Sequence, residues 1–253
     1  MAAIRVLQPN DSGYNDRFRA GFYIQEVRMS RRLALFDLDN TLLDGDSDHA
    51  WGEFLISRNL VDADAHRAEN DSYYRQYREG KLDIHGYVKF TLTPILQLSA
   101  DEREALHAVF MRETVAPMVL DKALALVKQH QDAGDCCLII TSTNAFITTP
   151  IAAIFGVDQI IATELEIEDD CLTGNIAGTP CYRAGKVAKL EQWLLAHQQP
   201  QGQLSLSNSI FYTDSVNDLQ LLNRVKVPVA VDPDEQLRSA AVERHWDIIS
   251  LRG

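Results

Sequence analysis

The chain has 253 residues, 46% of them hydrophobic, enough to bury a sizeable core as one large domain or two smaller ones. Its 36 acidic residues against 24 lysines and arginines give a formal net charge of -12, which repels phosphate backbones and anionic lipid and argues against nonspecific nucleic-acid or membrane-surface binding. No apolar run reaches the ~18 residues of a membrane-spanning helix, no signal-peptide core opens the chain, and Cys136, Cys137, Cys171 and Cys181 lack metal-ligand spacing, so a reduced, cytoplasmic protein is expected.

Met1 to Glu26 shows mixed polar content without period or cap signals, and Met29 offers a second start just before the first patterned segment. Residues 1–30 are therefore read as an extension outside the core. Leu33 to Leu43, LALFDLDNTLL, is an apolar run that ends in two aspartates one residue apart, the pattern of a buried parallel strand whose carboxyl end opens on a ligand site. Alternate positions of an extended segment face the same way, so Asp37 and Asp39 would point into one crevice. Two carboxylates about 4 Å apart repel by roughly 4 kcal/mol at an effective dielectric near 20, so a cation or a proton is expected with them. Asp, Asn and Thr also form turns and N-caps, and the segment alone does not decide between the readings.

From Ser47 to about Ala116 the pattern is helical: Trp51, Phe54 and Leu55, then Tyr73, Tyr74 and Tyr77, then Tyr87, Phe90 and Leu92. A structureless connection of ~70 residues is implausible, so residues 47–116 are read as an inserted all-helical cap, with the aromatic stripe as its core. Ser99 and Glu102 have the spacing of a capping box. Further on, Met118 to Gln131 reads as a helix, CCLIIT as a strand, Asn144 to Phe155 as a helix, Ile160 to Thr163 as a strand, and LEIEDDCLTGNIAG as a hairpin at the rim. A helix from Arg183 to His197 precedes the strand Ser209 to Thr213, the helix Val216 to Leu222, the strand Val227 to Val231, the helix Pro233 to Val242 and the strand Asp247 to Ile249. Alternation of this kind implies an α/β fold with a doubly wound, mostly parallel sheet, built from residues 31–46 and 117–253.

The chain thus presents, in order, Asp37-Leu38-Asp39-Asn40-Thr41, a strand ending in Thr141 and Ser142, Lys186, and a strand followed by Asp214, Asn217 and Asp218. This order resembles the haloacid dehalogenase superfamily, whose motifs are DxDxT, a strand-end Ser or Thr, a Lys and a paired acidic motif, and the resemblance runs from Leu33 to the carboxyl terminus. It implies a phosphomonoester hydrolase in which Asp37 attacks phosphorus and Asp39 serves as general acid and then base. It further implies Mg²⁺ held by Asp37, the Asp39 carbonyl and Asp214, with Asn217 and Asp218 holding metal-bound water or orienting Lys186. Thr141, the Ser142 amide and Lys186 would grip the phosphoryl oxygens. Lys189, nearby, reads as a solvated helix-face lysine.

The position of the cap, and the stretch EGKLDIHGYVKF from Glu79 to Phe90, resemble the phosphoserine phosphatase branch. There Asp46 falls where relatives carry a glutamate that meets the substrate amine, and Lys89 where they carry an arginine that clamps its carboxylate. Lysine lacks arginine's bidentate grip, so a small amine-bearing phosphate without a clamped carboxylate is expected, histidinol phosphate first and phosphoserine second. The partner is then a small molecule, for a monomer or homodimer. A phosphotransferase or phosphomutase, and a non-enzymatic phospho-accepting signalling domain, are the other classes considered.

Overall fold

β1 (Leu33–Phe36) is wholly buried, with Ala34 and Phe36 packed into one hydrophobic cluster and Leu33 and Leu35 into another on the opposite face. A strand covered on both sides needs apolar residues at every position, which is why this run does not alternate. The computed structural model describes residues 31–197 and 204–253, so the extension read from residues 1–30 lies outside the described residues.

After β1 come α1 (Ser47–Ser57), α2 (Ala63–Arg78), α3 (Ile84–Leu92), α4 (Ala100–Phe110) and α5 (Asp121–Asp132). They are followed by β2 (Cys136–Asn144), α6 (Ala145–Ile154), β3 (Ile160–Thr163), β4 (Leu165–Glu168), β5 (Cys171–Ile176) and α7 (Ala184–Ala196). The last elements are β6 (Ser209–Thr213), α8 (Leu219–Leu222), β7 (Val227–Val231), α9 (Glu235–Glu243) and β8 (Asp247–Ile249). Six strands form one parallel sheet in the order β3-β2-β1-β6-β7-β8, and β4 and β5 form a separate antiparallel pair. The chain leaves β1 toward β2 and β3, then returns on the other side as β6, so the strand order switches at β1. In open α/β sheets a crevice opens at that point, beyond the carboxyl ends of the strands.

The cap signals act as the sequence predicts at α4, where Ser99 and Glu102 form a reciprocal capping box. Asp46, Asp62, Asp83 and Asn144 cap α1, α2, α3 and α6 with side-chain oxygens. The α1–α2 contact is close because Gly52 has no side chain, and a Cβ there would lie 2.4 Å from Asn70 Nδ2. Asn70 in turn donates 2.9 Å to the His49 carbonyl.

Trp51 of α1 packs edge-on against Phe110 and Phe146 and stacks on Phe54. One hydrophobic cluster therefore runs from Phe36 and Ile139 of the sheet through Trp51 to Val88, Leu92 and Phe110, joining the helical insertion to the core. The β4–β5 hairpin leans on the insertion as well, with Gly174 set against Leu96. All four cysteines are free thiols. No helix among the described residues is long and apolar enough to cross a membrane.

Candidate active site

β1 stops at Phe36, and the backbone that follows turns tightly: the amides of Leu42 and Leu43 donate to the Leu38 carbonyl, and Asn40 adopts a left-handed φ of 55°. The turn leaves Asp37 and Asp39 lining a cleft with Asp46, Asp48, Thr141 and Ser142. Asp37 Oδ1 accepts a 3.0 Å bond from Lys186 Nζ, and the same ammonium donates 2.8 Å to Asp218 Oδ2. Thr213, at the end of β6, fixes Asp218 with a second bond of 2.8 Å. Lys186 is 1% exposed at the start of α7. Gly185 makes that approach possible, since a Cβ at this position would meet the Pro180 carbonyl oxygen at 2.1 Å.

Asp39 is held from two sides. The Ser47 amide donates 2.7 Å to Oδ1 and the Thr143 hydroxyl donates 2.8 Å to Oδ2. Thr41 and Asp214 are tied reciprocally, the Thr41 hydroxyl donating to Asp214 Oδ1 at 3.1 Å and accepting from the Asp214 amide at 3.0 Å. Thr141 and Ser142, at the end of β2, line the same cleft, and the Thr163 hydroxyl donates 2.7 Å to the Ser142 carbonyl to set that peptide.

The electrostatics follow from packing acids out of water. Burial raises the Asp37 carboxyl to about 7, with Lys186 pulling it down and Asp218 and Asp39 pushing it up. Burial, then the Asp46 charge, raises Asp39 to about 6. Asp214 is pushed well above the carboxylate range by burial and by Asp37 and Asp218. Burial disfavours the Lys186 charge, but Asp218 and Asp37 outweigh it, so the ammonium is held protonated.

One lysine thus stands among four carboxylates, Asp37, Asp39, Asp214 and Asp218, and that excess of negative charge suits a cation. Among the described residues no three Asp, Glu, His or Cys side chains form a closed metal cage. The oxygens available are the Asp37 and Asp214 carboxylates and the Asp39 carbonyl. Such a sparse, hard, all-oxygen set fits Mg²⁺, which keeps much of its water when bound to protein.

Of the residues expected from the sequence, Asp37, Asp39, Thr141, Ser142, Lys186, Asp214 and Asp218 converge here. Asn217 also reaches across to α2, its Nδ2 donating 2.9 Å to the Tyr77 carbonyl. Lys189 instead pairs with Glu164 at 3.5 Å. Asp46 lines the cleft and also caps α1, its Oδ1 accepting from the Asp48 and His49 amides at 3.0 and 2.9 Å. Lys89 is exposed on an outer groove with Val61, Asp62 and Glu69, away from the cleft. At about 100° per residue it lies some 200° around α3 from Tyr87, which faces inward.

The aromatic stripe is also reassigned. Tyr73, Tyr74, Tyr77 and Tyr87 line the cleft, while Trp51, Phe54 and Phe110 belong to the hydrophobic cluster shared with the sheet. The i, i+1, i+4 spacing of Tyr73, Tyr74 and Tyr77 marks one face of a helix but does not say whether that face meets a core or a cavity. Asp48 lines the cleft too, a residue that the sequence reading passed over.

The haloacid dehalogenase-like hydrolase family model matches residues 34–223. The chain belongs to this family. It is 44% identical over 223 residues to a protein of Neisseria meningitidis serogroup C named histidinol-phosphatase, covering 88% of this chain and all of that one. Phosphoserine phosphatase SerB1 of Mycobacterium tuberculosis is 30% identical over 225 residues, covering 87% of this chain and 70% of that protein. Among solved structures, a Bordetella pertussis Tohama I protein of unknown function superposes with a TM-score of 0.81 at 41% identity, covering 88% of this chain and all of that one. A substrate-bound phosphoserine phosphatase superposes with a TM-score of 0.64 at 16% identity, over 88% of this chain and 94% of that one, a likeness of fold. This chain is accordingly an enzyme of the haloacid dehalogenase-like hydrolases, and the Neisseria and Mycobacterium relatives above are named as phosphatases.

Proposed function

We propose that this haloacid dehalogenase-like hydrolase is a Mg²⁺-dependent phosphomonoester hydrolase whose substrate is histidinol phosphate, with phosphoserine the second choice. The observation that carries the choice is the cleft lining, which joins four aspartates, four tyrosines and the Thr141–Thr143 strand end with no lysine or arginine. A substrate carboxylate would stand there without a cation among Asp37, Asp39, Asp46 and Asp48, a costly arrangement at low dielectric. An amino alcohol phosphate carries no such group. The name of the Neisseria relative agrees with that preference.

The reaction divides into two steps. A carboxylate oxygen of Asp37 attacks phosphorus while the bond to the leaving oxygen breaks, and Asp39 gives its proton to that alkoxide. Water then attacks the aspartyl phosphate, Asp39 takes up the water's proton, and inorganic phosphate departs from a regenerated Asp37. A carboxyl at about 6 is suited to both roles near neutral pH. Lys186 keeps Asp37 aimed, and Thr141, the Ser142 amide and Lys186 receive the phosphoryl oxygens. Bound Mg²⁺ would supply charge neutralisation for the transferring group, held by Asp37, Asp214 and the Asp39 carbonyl. Assaying histidinol phosphate, phosphoserine and an aryl phosphate with Mg²⁺, then with chelator, tests the proposal. Expected is chelator-sensitive turnover with kcat/KM at least about tenfold higher for histidinol phosphate, and a tenfold preference for phosphoserine, worth ~1.4 kcal/mol, would overturn the substrate.

A further inference from the structure

The part of the cleft beyond Asp46 is not used by the phosphoryl chemistry and is built differently. Its walls are Tyr73, Leu82, Ile84 and Tyr87, and Asp48 of α1 stands among them. Asp48 is 6% exposed, and its Oδ1 receives a 3.3 Å bond from Asn144 Nδ2. Burial holds its carboxyl well above the usual range, and the charges acting on it, Asp46 and Asp39, are of its own sign.

Three other buried acids of the molecule have a basic partner. Asp37 and Asp218 share Lys186, and Asp135 has Arg32 at 2.7 Å. Among the described residues nothing basic compensates Asp48, although leaving a carboxylate buried and unpaired is costly. Asp46, by contrast, commits Oδ1 to two helix amides.

The wall beside Asp48 is aromatic. The rings of Tyr73 and Tyr87 lie 5.1 Å apart, and burial followed by the Asp48 charge pushes the Tyr87 hydroxyl well above its ordinary value, so it stays a neutral ring at physiological pH. A flat cation would find an anionic partner and aromatic faces in the same place.

We propose that Asp48 with the Tyr73–Tyr87 wall determines leaving-group specificity, taking the protonated nitrogen of a planar ring of the imidazolium class while the phosphate lies at Thr141 and Ser142. This rests on the histidinol phosphate reading. An aliphatic amine would satisfy the carboxylate but leave the aromatic faces without a partner, and a neutral ring would do the reverse.

The test compares wild type, Asp48→Asn and Tyr87→Leu on histidinol phosphate, 2-aminoethyl phosphate and p-nitrophenyl phosphate, with histidinol binding measured by calorimetry. Asp48→Asn is expected to lower kcat/KM on histidinol phosphate about thirtyfold, mainly through KM, to weaken histidinol binding by a similar factor, and to change the aryl phosphate less than about threefold. Tyr87→Leu should reproduce the pattern more weakly. Equal losses on all three substrates, or an unchanged histidinol phosphate reaction in an active wild type, would overturn the assignment of Asp48 alone. Wild type that hydrolyses the other esters but not histidinol phosphate would bring down the substrate reading and this inference with it. If Asp48→Asn does not fold, Asp48→Ser and Tyr87→Leu give the same readouts.

Discussion

The two aspartates after β1 stand in different surroundings and are differently employed. Asp37 is engaged by Lys186, whereas Asp39 is gripped by the Ser47 amide and the Thr143 hydroxyl, which fix the direction of both its oxygens. Asp37→Asn preserves shape and removes the attacking oxygen, so turnover should vanish while the far-UV spectrum and melting temperature persist. Retention of more than about a tenth of the activity, a barrier change under ~1.4 kcal/mol, would remove Asp37 from the nucleophile's role. Asp39→Asn should cost most on an alkyl phosphate, whose leaving group needs a proton, and least on p-nitrophenyl phosphate. Equal losses on the two would argue against proton transfer by Asp39. These residues were legible in the sequence because DLDNT, Thr141-Ser142 and Lys186 are short local signals with a fixed chain order. The bond from Thr143 to Asp39 was not, since it spans 104 positions and depends on β2 continuing as far as Asn144.

At the scale of elements, the strands were readable because both faces of the sheet are covered, and α4 because its capping box is written in two residues. What a helical period could not reveal was which cap face turns toward the cleft: Tyr73, Tyr74 and Tyr77 read as a core stripe but face the site, while Trp51 and Phe110 supply the packing. The attachment of the cap tip was equally hidden. Arg183 Nη1 donates 2.7 Å to the Gly80 carbonyl and Asn217 Nδ2 donates 2.9 Å to the Tyr77 carbonyl, so loops beside Lys186 and Asp218 hold the turn that follows α2. Each bond is worth about 1 kcal/mol. The double substitution Arg183→Ala with Asn217→Ala should therefore shift cap closure by roughly 2 kcal/mol, raising KM about tenfold or more. Amide exchange should quicken at residues 77–82 while β1 and β6 stay protected. Unchanged exchange there would show that the tip is held by other contacts, such as the Tyr77–Tyr182 ring pair at 6.0 Å.

For the whole molecule, the consequence lies in how the acids of the cleft titrate against the rest of the protein. Asp37 at about 7, Asp39 at about 6, and Asp48 and Asp214, both well above 3.8, bind protons more tightly in the folded state than in the unfolded chain. Groups raised in this way contribute stability that is complete below about 3.8 and is lost as pH rises through their folded values. His66 and His107, lowered by burial, act oppositely, but their contribution is present above about 6.5 and fades only below it. Between about pH 6.5, where the histidine contribution levels off, and 7, the folded value of Asp37, the aspartates therefore dominate, and the metal-free protein should melt at lower temperature as pH rises. Each proton released costs ~1.4 kcal/mol per pH unit, and a loss of 1 kcal/mol lowers the melting temperature by about 2–4 °C for a chain of this size. Mg²⁺ takes the place of those protons at Asp37 and Asp214, so saturating metal should raise the melting temperature most at the alkaline end and flatten the dependence. Scanning calorimetry in EDTA and then in Mg²⁺ checks this. A melting temperature that stays level or climbs with pH in EDTA would mean that these carboxylates are ionised in the metal-free fold. Asp48 lies outside the proposed metal donors, so the slope that survives Mg²⁺ should be the part removed by Asp48→Asn, which separates the charge of the leaving-group pocket from that of the reacting centre.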